Sequence, residues 1–212
     1  WIMGRIAANH ALSDLYACAA RPVSALASIS LEFSGDTIQE RDLRQMLAGA
    51  LHEFSQVGCV LAGGHTLQGP ELNVGFVVNG VQPQGNGGLR KTGGQPGDVL
   101  ILTKPLGTGA VFAAHMQLAA AGEAVEAAID SMLQSNAAAA SLLTQGVASA
   151  CTDVTGFGLA GHLQEMLGNT LAARIHLSQL PALPGALRHL AAGVHSTMHR
   201  ANMRSTATHL NA

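Results

Sequence analysis

The sequence has few charged residues, few aromatic residues and no long apolar run. Of its 212 residues, 11% are charged and 3% are aromatic, and the formal net charge is −2. Proteins that bind nucleic acid or an anionic membrane carry a basic surface, so neither partner is expected here. No apolar run approaches the roughly 18 residues that a membrane-spanning helix needs. The composition therefore predicts a soluble protein without nucleic-acid or membrane partners.

Cysteine is also scarce. Cys18, Cys59 and Cys151 lie far apart and form no C-x-x-C pair. This spacing indicates neither a disulfide framework nor a structural zinc site, and a reducing cytoplasmic compartment fits it best. The chain starts at Trp1 within what reads as structured sequence and stops at Ala212 without an obvious ending. Both ends predict a fragment of a longer protein.

Glycine and apolar residues are plentiful, with 25 glycines and a hydrophobic content of 48%. Their spacing predicts, in the first half, helices at residues 5–20 and 37–57 and strands at residues 23–33, 59–62 and 72–81. It predicts, in the second half, strands at residues 98–103, 149–152 and 171–177 and helices from about 110, at 124–134, at 137–147 and up to 166. A glycine-rich break at residues 83–88 separates the halves. This order predicts two α+β or α/β units, residues 1–84 and 85–212, each incomplete at its end of the chain.

Two signals mark the ends of the helix at residues 37–57. Thr37 and Glu40 match a capping box, in which both side chains accept from free backbone amides, and Asp36 is also available as a cap. Gly58 stands where a residue in the left-handed conformation would end the helix.

The stretch from Thr152 to Leu159 places a carboxylate, Asp153, before a turn with two glycines that opens a helix. Free amides at a helix N-terminus suit an anion such as phosphate. A carboxylate beside phosphate requires a cation between them, which is the arrangement of a magnesium–nucleotide site. The alternative is that Asp153 caps the helix and the glycines serve tight packing.

Asp14 lies in the middle of a predicted helix that has little other charge. Aspartate is a poor helix-interior residue and is costly to bury without a partner. Asp14 is therefore either exposed, or a partner of Arg5, or a second metal ligand that shares a helix face with His10. His10 alone is more often a core histidine than a ligand.

The turn Gly63-Gly64-His65-Thr66 follows a predicted strand, so its amides could approach a phosphate or a base closely. The alternative is a bulge or an ordinary loop. Lys104, with residues 107–109, similarly indicates a strand-to-helix phosphate turn, but no Gly-Lys-Ser/Thr sequence completes a Walker A loop. We interpret the remaining candidates as structural: Cys151, His115, His162, His195 and His199.

These stretches, in this order, resemble selenophosphate synthetase, within the superfamily of aminoimidazole ribonucleotide synthetase. The matching stretches are residues 9–17, 63–66, 70–72, 102–109, 152–159 and 161–163. The resemblance covers about residues 4–190. Residues 152–159 are the most specific of these, because relatives with other substrates vary the residues around the two glycines.

The resemblance implies a homodimer of two-domain chains, with ATP bound through magnesium ions in a cleft at the subunit interface. Residues 1–84 would be the dimerisation and ATP-binding domain, and residues 85–212 the C-terminal α/β domain. Asp14 would bind metal and nucleotide, and Asp153 would bind metal. Gly63, Gly64 and His65 would contact nucleotide, in the neighbouring subunit's site.

The sequence also departs from the family pattern. The family's helix usually continues Tyr-Ala-Met-Gly-Gly, whereas here Tyr16 and Ala17 are followed by Cys18, and His10 replaces a common asparagine. The family's N-terminal segment, with its cysteine or selenocysteine, a lysine and further aspartates, is not in this chain. Its final Gln-Thr-Ser-Gly-Gly segment is not in the chain either. The resemblance thus places the family's catalytic residues upstream of Trp1.

Three functions follow from these observations. The first is an enzyme that converts ATP, selenide and water into selenophosphate, AMP and phosphate. The second is an inactive fragment or pseudoenzyme that dimerises or binds nucleotide. The third is a same-fold enzyme with another substrate, as in aminoimidazole ribonucleotide synthetase or thiamine-monophosphate kinase, against which His65 and residues 152–157 argue.

Overall fold

The computed structural model describes residues 1–82, 88–143 and 145–207. Its regular elements in chain order are α1 Ile2–Ala17, β1 Arg21–Glu32, α2 Asp36–Gln56, β2 Val60–Gly69, β3 Asn73–Val81, α3 Thr108–Met116, α4 Gly122–Leu133, α5 Ala137–Leu143, α6 Gly158–Leu167, a 3₁₀ turn Leu177–Gln179, α7 Ala186–Ala191 and α8 His199–Thr206. No helix in these three ranges is long and apolar enough to cross a membrane.

The chain forms two compact units, and the first is discontinuous in sequence. It comprises Trp1–Leu89 and Met132–Val147, and the second unit comprises Arg90–Ser131 and Ala148–Ala212. Helix α5 therefore belongs to the first unit, which the sequence did not indicate. The predicted boundary between residues 84 and 85, and the predicted break at 83–88 apart from Gly88, lie outside the described residues and stay predictions.

A three-stranded sheet in the order β2-β1-β3 organises the first unit. Strand β1 is parallel to β2 and antiparallel to β3. Alternate side chains of β1 are buried on one face, because a strand projects successive residues to opposite sides. The buried residues are Ala25, Ala27, Ile29 and Leu31. The predicted strands at 23–33 and 72–81 are confirmed, and the central strand has one covered face rather than two.

Helices α1 and α2 cover the buried face of the sheet, and α5 packs against α1. Their shared core holds Phe54, which is fully buried and meets Phe76 of β3 edge-to-face at 5.2 Å between ring centroids. Helices α1 and α2 cross closely at Gly4 and Gly49. A methyl group at Gly4 would lie 2.0 Å from the carbonyl oxygen of Met46.

The two ends of α2 test the local predictions. The capping box is wrong: the helix begins one residue early, at Asp36, and its N-cap Gly35 has no side-chain cap bond. The side chain of Gln39 instead donates from Nε2 to the Glu32 carbonyl oxygen at 2.9 Å. The left-handed end is confirmed, since Gly58 has φ +65° and the Cys59 N–H donates to the Phe54 carbonyl at 2.9 Å.

The second unit packs helices α3, α4 and α7 around a small core. The core residues are Val111, Ala124, Ala128, Leu183 and Ala186. The strands predicted at 98–103, 149–152 and 171–177 are wrong, because the described part of this unit contains only an isolated bridge between Leu106 and Ala182. An apolar run becomes a strand only when another strand pairs with it. Val99 and Ile101 have no such neighbour and are 82% and 83% exposed.

Candidate functional site

The residues that the sequence singled out are divided between the two units. Asp14, Gly63, Gly64 and His65 lie in the first unit, and Asp153 lies in the second. That both aspartates bind metal stays a prediction.

Asp14 lies on the exposed side of helix α1, as does His10 one turn earlier. The residues next to it, Leu12 and Ser13, are buried against the unit's core. Helix geometry therefore points this carboxylate outward while its neighbours anchor the helix. Arg5, one of the partners considered for Asp14, pairs with Glu53 of α2 at 2.5 Å.

Gly63, Gly64 and His65 lie within strand β2, and the prediction that the strand ends at Ala62 is wrong. The pairing of β1 with β2 shifts by one residue between Ala25 and Leu26, which leaves Ala62 as a bulge just before the glycines. A bulge lets the strand continue through residues that would otherwise interrupt it. The bulge thus lies directly before the stretch, and the predicted contact of Gly63, Gly64 and His65 with nucleotide stays a prediction.

The two glycines have different surroundings. Gly63 and Gly64 have φ values of +154° and +155°, which side chains rarely adopt. A methyl group at Gly64 would lie 2.2 Å from the carbonyl oxygen of Ala27, whereas one at Gly63 would meet only Leu26, at 3.9 Å. His65 pairs in register with Ser28 and is exposed. The bulge thus brings two backbones close together and places an imidazole on the open side of the sheet.

The open face of this sheet carries apolar side chains from all three strands. Leu26 of β1 lies opposite Val77 of β3, and Leu67 of β2 lies opposite Ser30 on the same face. Leu26, Leu67 and Val77 are 44%, 56% and 61% exposed. Strand β2 is also at the edge of the described sheet. Such a face and edge are typical of a surface that another chain covers.

In the second unit, Asp153 precedes a tight turn that leads into α6. The Gly158 N–H donates to the Thr155 carbonyl at 3.0 Å, and Gly158 has φ +74°. Helix α6 begins at Gly158, and its N-cap Phe157 makes no side-chain cap bond. Asp153 lies five residues before the helix, so the alternative that it caps α6 is wrong.

Two side chains from different helices fix this turn. The Thr155 N–H donates to Nε2 of His162 on α6 at 3.1 Å, and the Thr155 hydroxyl lies 3.0 Å from the same nitrogen. From α8, Nδ2 of Asn202 donates to the Gly156 carbonyl at 2.8 Å. The turn is therefore held by its own Thr155–Gly158 backbone bond and by side chains from two helices. Sequence reasoning missed both residues, because neither spacing belongs to a known ligand or capping pattern.

The donor set at Asp153 suits a hard cation. Its carboxylate is half-buried and has no hydrogen-bond or ion-pair partner among residues 1–82, 88–143 and 145–207. Magnesium usually takes one or two carboxylates together with substrate phosphates. The same ranges contain no cluster of three or more His, Cys, Asp or Glu that could hold a metal without such help. The residues present thus fit magnesium that arrives with phosphate.

The predicted phosphate turn at residues 107–109 opens helix α3. Gly107 has φ +120°, and its carbonyl accepts from the N–H groups of Ala110 and Val111. Lys104 donates from Nζ to the carbonyl of Ser131 at 3.0 Å, and burial lowers the pKa of this lysine. That bond stabilises the C-terminal turn of α4, which is a structural role for Lys104.

Two family models match the chain. Residues 1–82 match the AIR synthase related protein, N-terminal domain, and residues 95–200 match the AIR synthase related protein, C-terminal domain. A selenide, water dikinase of Trichlorobacter lovleyi is 41% identical over 193 residues, which are 90% of this chain and 55% of that protein. One of Geobacter metallireducens is 44% identical over 183 residues, 86% and 52%. The chain spans about half the length of these curated relatives.

Solved structures share the fold at lower identity. Thiamine-monophosphate kinase from Stenotrophomonas maltophilia K279a superimposes with a TM-score of 0.71 at 24% identity, over 89% of this chain and 60% of that one. Hydrogenase maturation protein HypE in complex with ATP gives a TM-score of 0.75 at 19% identity, over 91% and 58%. At these identities the likeness concerns the fold alone.

Proposed function

The chain belongs to the AIR synthase related protein family, which confirms the predicted fold class, and on this premise we propose that the whole protein is a selenide, water dikinase. Such an enzyme converts ATP, selenide and water into selenophosphate, AMP and phosphate. The observation that carries the proposal is the identity of 41–44% to selenide, water dikinases across both domains. The thiamine-monophosphate kinase from Stenotrophomonas maltophilia K279a is 24% identical.

We propose that Asp14 and Asp153 are the carboxylates of this chain that take part in binding ATP with magnesium. The Asp153 carboxylate supports this assignment because it is half-buried and has no partner in the described part of the chain, and the Asp14 carboxylate because it is exposed. Asp14 and Asp153 would hold magnesium through their carboxylates, and the bound cation would neutralise charge on the polyphosphate. The Thr155–Gly158 turn would hold the phosphates beside Asp153 through the Gly156 and Phe157 amides, because the Thr155 and Gly158 amides already donate to His162 and to the Thr155 carbonyl.

Gly63, Gly64 and His65 are proposed to contact nucleotide from strand β2. Gly63 supports this because a methyl group there would meet only Leu26, at 3.9 Å, so the backbone at this glycine is open to a ligand. His65 supports it because its ring is exposed beside the bulge, where a ligand can reach it.

The proposal includes a homodimer that forms through the first unit. Two features of the described sheet support it. One is the apolar face formed by Leu26, Leu67 and Val77, and the other is the edge strand β2, and both favour burial against another chain. A cytoplasmic location stays a prediction, based on three cysteines that are all free.

The direct test is the reaction itself. The intact protein, with any sequence that it carries beyond this chain, is incubated with ATP, Mg²⁺ and selenide under anaerobic conditions, and products are followed by ³¹P NMR. We expect AMP, phosphate and selenophosphate in equal amounts. A parallel sample receives thiamine monophosphate in place of selenide. Phosphoryl transfer to that acceptor, or ATP binding without turnover, would support the same-fold or inactive alternatives instead.

A further inference from the structure

A buried histidine in the second unit holds the turn that the proposed function assigns to phosphate. We propose that His162 is a positioning residue, which acts as a neutral hydrogen-bond acceptor and fixes the Thr155–Gly158 turn for the nucleotide. The inference rests on the proposed function for the identity of the ligand. It adds a residue that positions the turn without contacting the substrate itself.

The direction of the hydrogen bond between Thr155 and His162 determines which nitrogen of the imidazole carries a proton. A backbone N–H can only donate, and the Thr155 N–H points to Nε2 of His162 at 3.1 Å. That nitrogen must therefore carry a lone pair, and in a neutral imidazole the proton is then on Nδ1. A ring with protons on both nitrogens would place two N–H groups against each other and release the turn.

The other side of the ring favours the same tautomer. Nδ1 is buried without a hydrogen-bond partner among the described residues, and the nearest charge is Oε2 of Glu165, 3.8 Å away. Glu165 is held by Lys91 at 2.7 Å, and this hydrogen bond lowers the pKa of the Glu165 carboxyl. An ionised carboxylate on this side attracts the proton of Nδ1.

A purely space-filling role does not account for these contacts. The His162 ring is 6% exposed and packs edge-on against Phe157 at 5.9 Å between centroids. A leucine could fill this volume, but it could not accept from Thr155. The turn would then keep the hydrogen bond from the Gly158 N–H to the Thr155 carbonyl and the one from Asn202 to the Gly156 carbonyl. It would lose the hydrogen bond from the Thr155 N–H to residue 162, which orients Thr155.

The experiment compares three variants in the intact protein. His162→Leu removes the acceptor, and His162→Gln restores an oxygen that can reach the Thr155 amide. His189→Leu is the matched control: His189 is 5% exposed, lies in the same unit, and its Nε2 has no partner among the described residues. The measurements are ¹⁵N NMR of the imidazoles, hydrogen exchange at the Thr155 amide, and the KM for ATP and kcat.

We expect Nε2 of His162 to be unprotonated in the wild type. In His162→Leu, exchange at Thr155 should quicken by about fivefold and the KM for ATP should rise by about as much, since one hydrogen bond contributes about 1 kcal/mol. We expect kcat to change little and His162→Gln to recover part of the loss. His189→Leu should leave exchange at Thr155 and the KM unchanged.

A protonated Nε2, or a His162→Leu variant that matches His189→Leu in both exchange and KM, would overturn the inference. If the wild type binds no ATP, the proposed function fails. The Thr155 exchange data then still decide whether His162 holds the turn.

Discussion

Asp153 lies two residues before the Thr155 turn, half-buried and outside helix α6. If it binds magnesium, the variant Asp153→Asn keeps nearly the same shape and loses one negative charge. We expect selenide-dependent AMP formation in the intact enzyme to fall by about a hundredfold or more, about 3 kcal/mol at the transition state. Stability without metal should be unchanged or slightly higher, because the half-buried charge of Asp153 has no hydrogen-bond or ion-pair partner among the described residues to lose. Excess magnesium should recover part of the activity.

The matched control is Asp130→Asn, which changes an exposed aspartate of helix α4. It should alter neither activity nor stability. Wild-type turnover of Asp153→Asn at limiting magnesium, or outright unfolding of this variant, would give Asp153 a structural role and refute the metal assignment.

At the scale of single residues, the sequence singled out two carboxylates as candidates but not the side chains that support the turn beside Asp153. Asp14 stood out because charge is scarce and unfavourable within its helix, and Asp153 because it precedes a turn with two glycines. His162 did not, because a lone histidine in a helix has no spacing that distinguishes an acceptor from a packed side chain. Its partner Thr155 is seven residues away and uses its backbone amide, a contact that the side-chain pattern does not encode.

Among the secondary-structure elements, strand β2 provides the clearest test. Gly64→Ala places a methyl group against the Ala27 carbonyl at 2.2 Å, in a conformation with φ +155°. We expect the free energy of unfolding of the intact protein to fall by about 2–3 kcal/mol, because β1 and β2 must move apart. Urea denaturation of the purified variant measures this change. Nucleotide affinity should fall as well if β2 contacts ATP.

Two nearby glycines serve as controls for Gly64. Gly63→Ala meets only the Leu26 side chain at 3.9 Å, so it should cost about 1 kcal/mol of backbone strain. Gly75→Ala on β3 meets nothing within 4 Å and should be nearly neutral. Equal losses for Gly63 and Gly64 would contradict the close approach of the two strands.

The elements of the first unit were predictable because each is supported by its neighbours. The strand β1 alternates buried and exposed residues, and Gly58 ends α2 through backbone bonds that need no distant partner. The strands of the second unit were predicted from hydrophobicity alone. Val99 and Ile101 have the composition of a buried strand, but pairing depends on a second segment that composition does not identify.

For the whole molecule, the first question is assembly. If the open face of the sheet covers the same face of a second chain, Val77→Lys places a charge in the centre of that interface. We expect sedimentation of the intact variant at micromolar concentration to show monomers where the wild type shows dimers. Leu118→Lys, at a position 93% exposed in the second unit, is the control and should remain dimeric. A monomeric wild type would contradict the homodimer.

The second question is what this chain does by itself. The resemblance places a reactive cysteine or selenocysteine and a lysine before Trp1. We therefore expect the 212-residue chain alone to form no selenophosphate, even when it folds. Selenide-dependent AMP formation by this chain, free of contaminating enzyme, would show that the residues which handle selenide lie within it.

The return of residues 132–147 to the first unit has a consequence for synthesis on the ribosome. Asn136 donates to the Ser13 hydroxyl at 2.8 Å, and Asn9 donates to the Leu133 carbonyl at 3.1 Å. Ala140 is buried in the hydrophobic core to which α1 contributes. The longer segment of the first unit ends at Leu89, and its second segment ends at Val147, so the unit is complete only when Val147 has been translated. At roughly 5–20 residues per second, about 58 residues take about 3–12 s to translate. During that interval the residues of α1 and of the sheet have been synthesised. The side chains of Asn9 and Ser13 cannot yet form their hydrogen bonds, because Leu133 and Asn136 have not been translated.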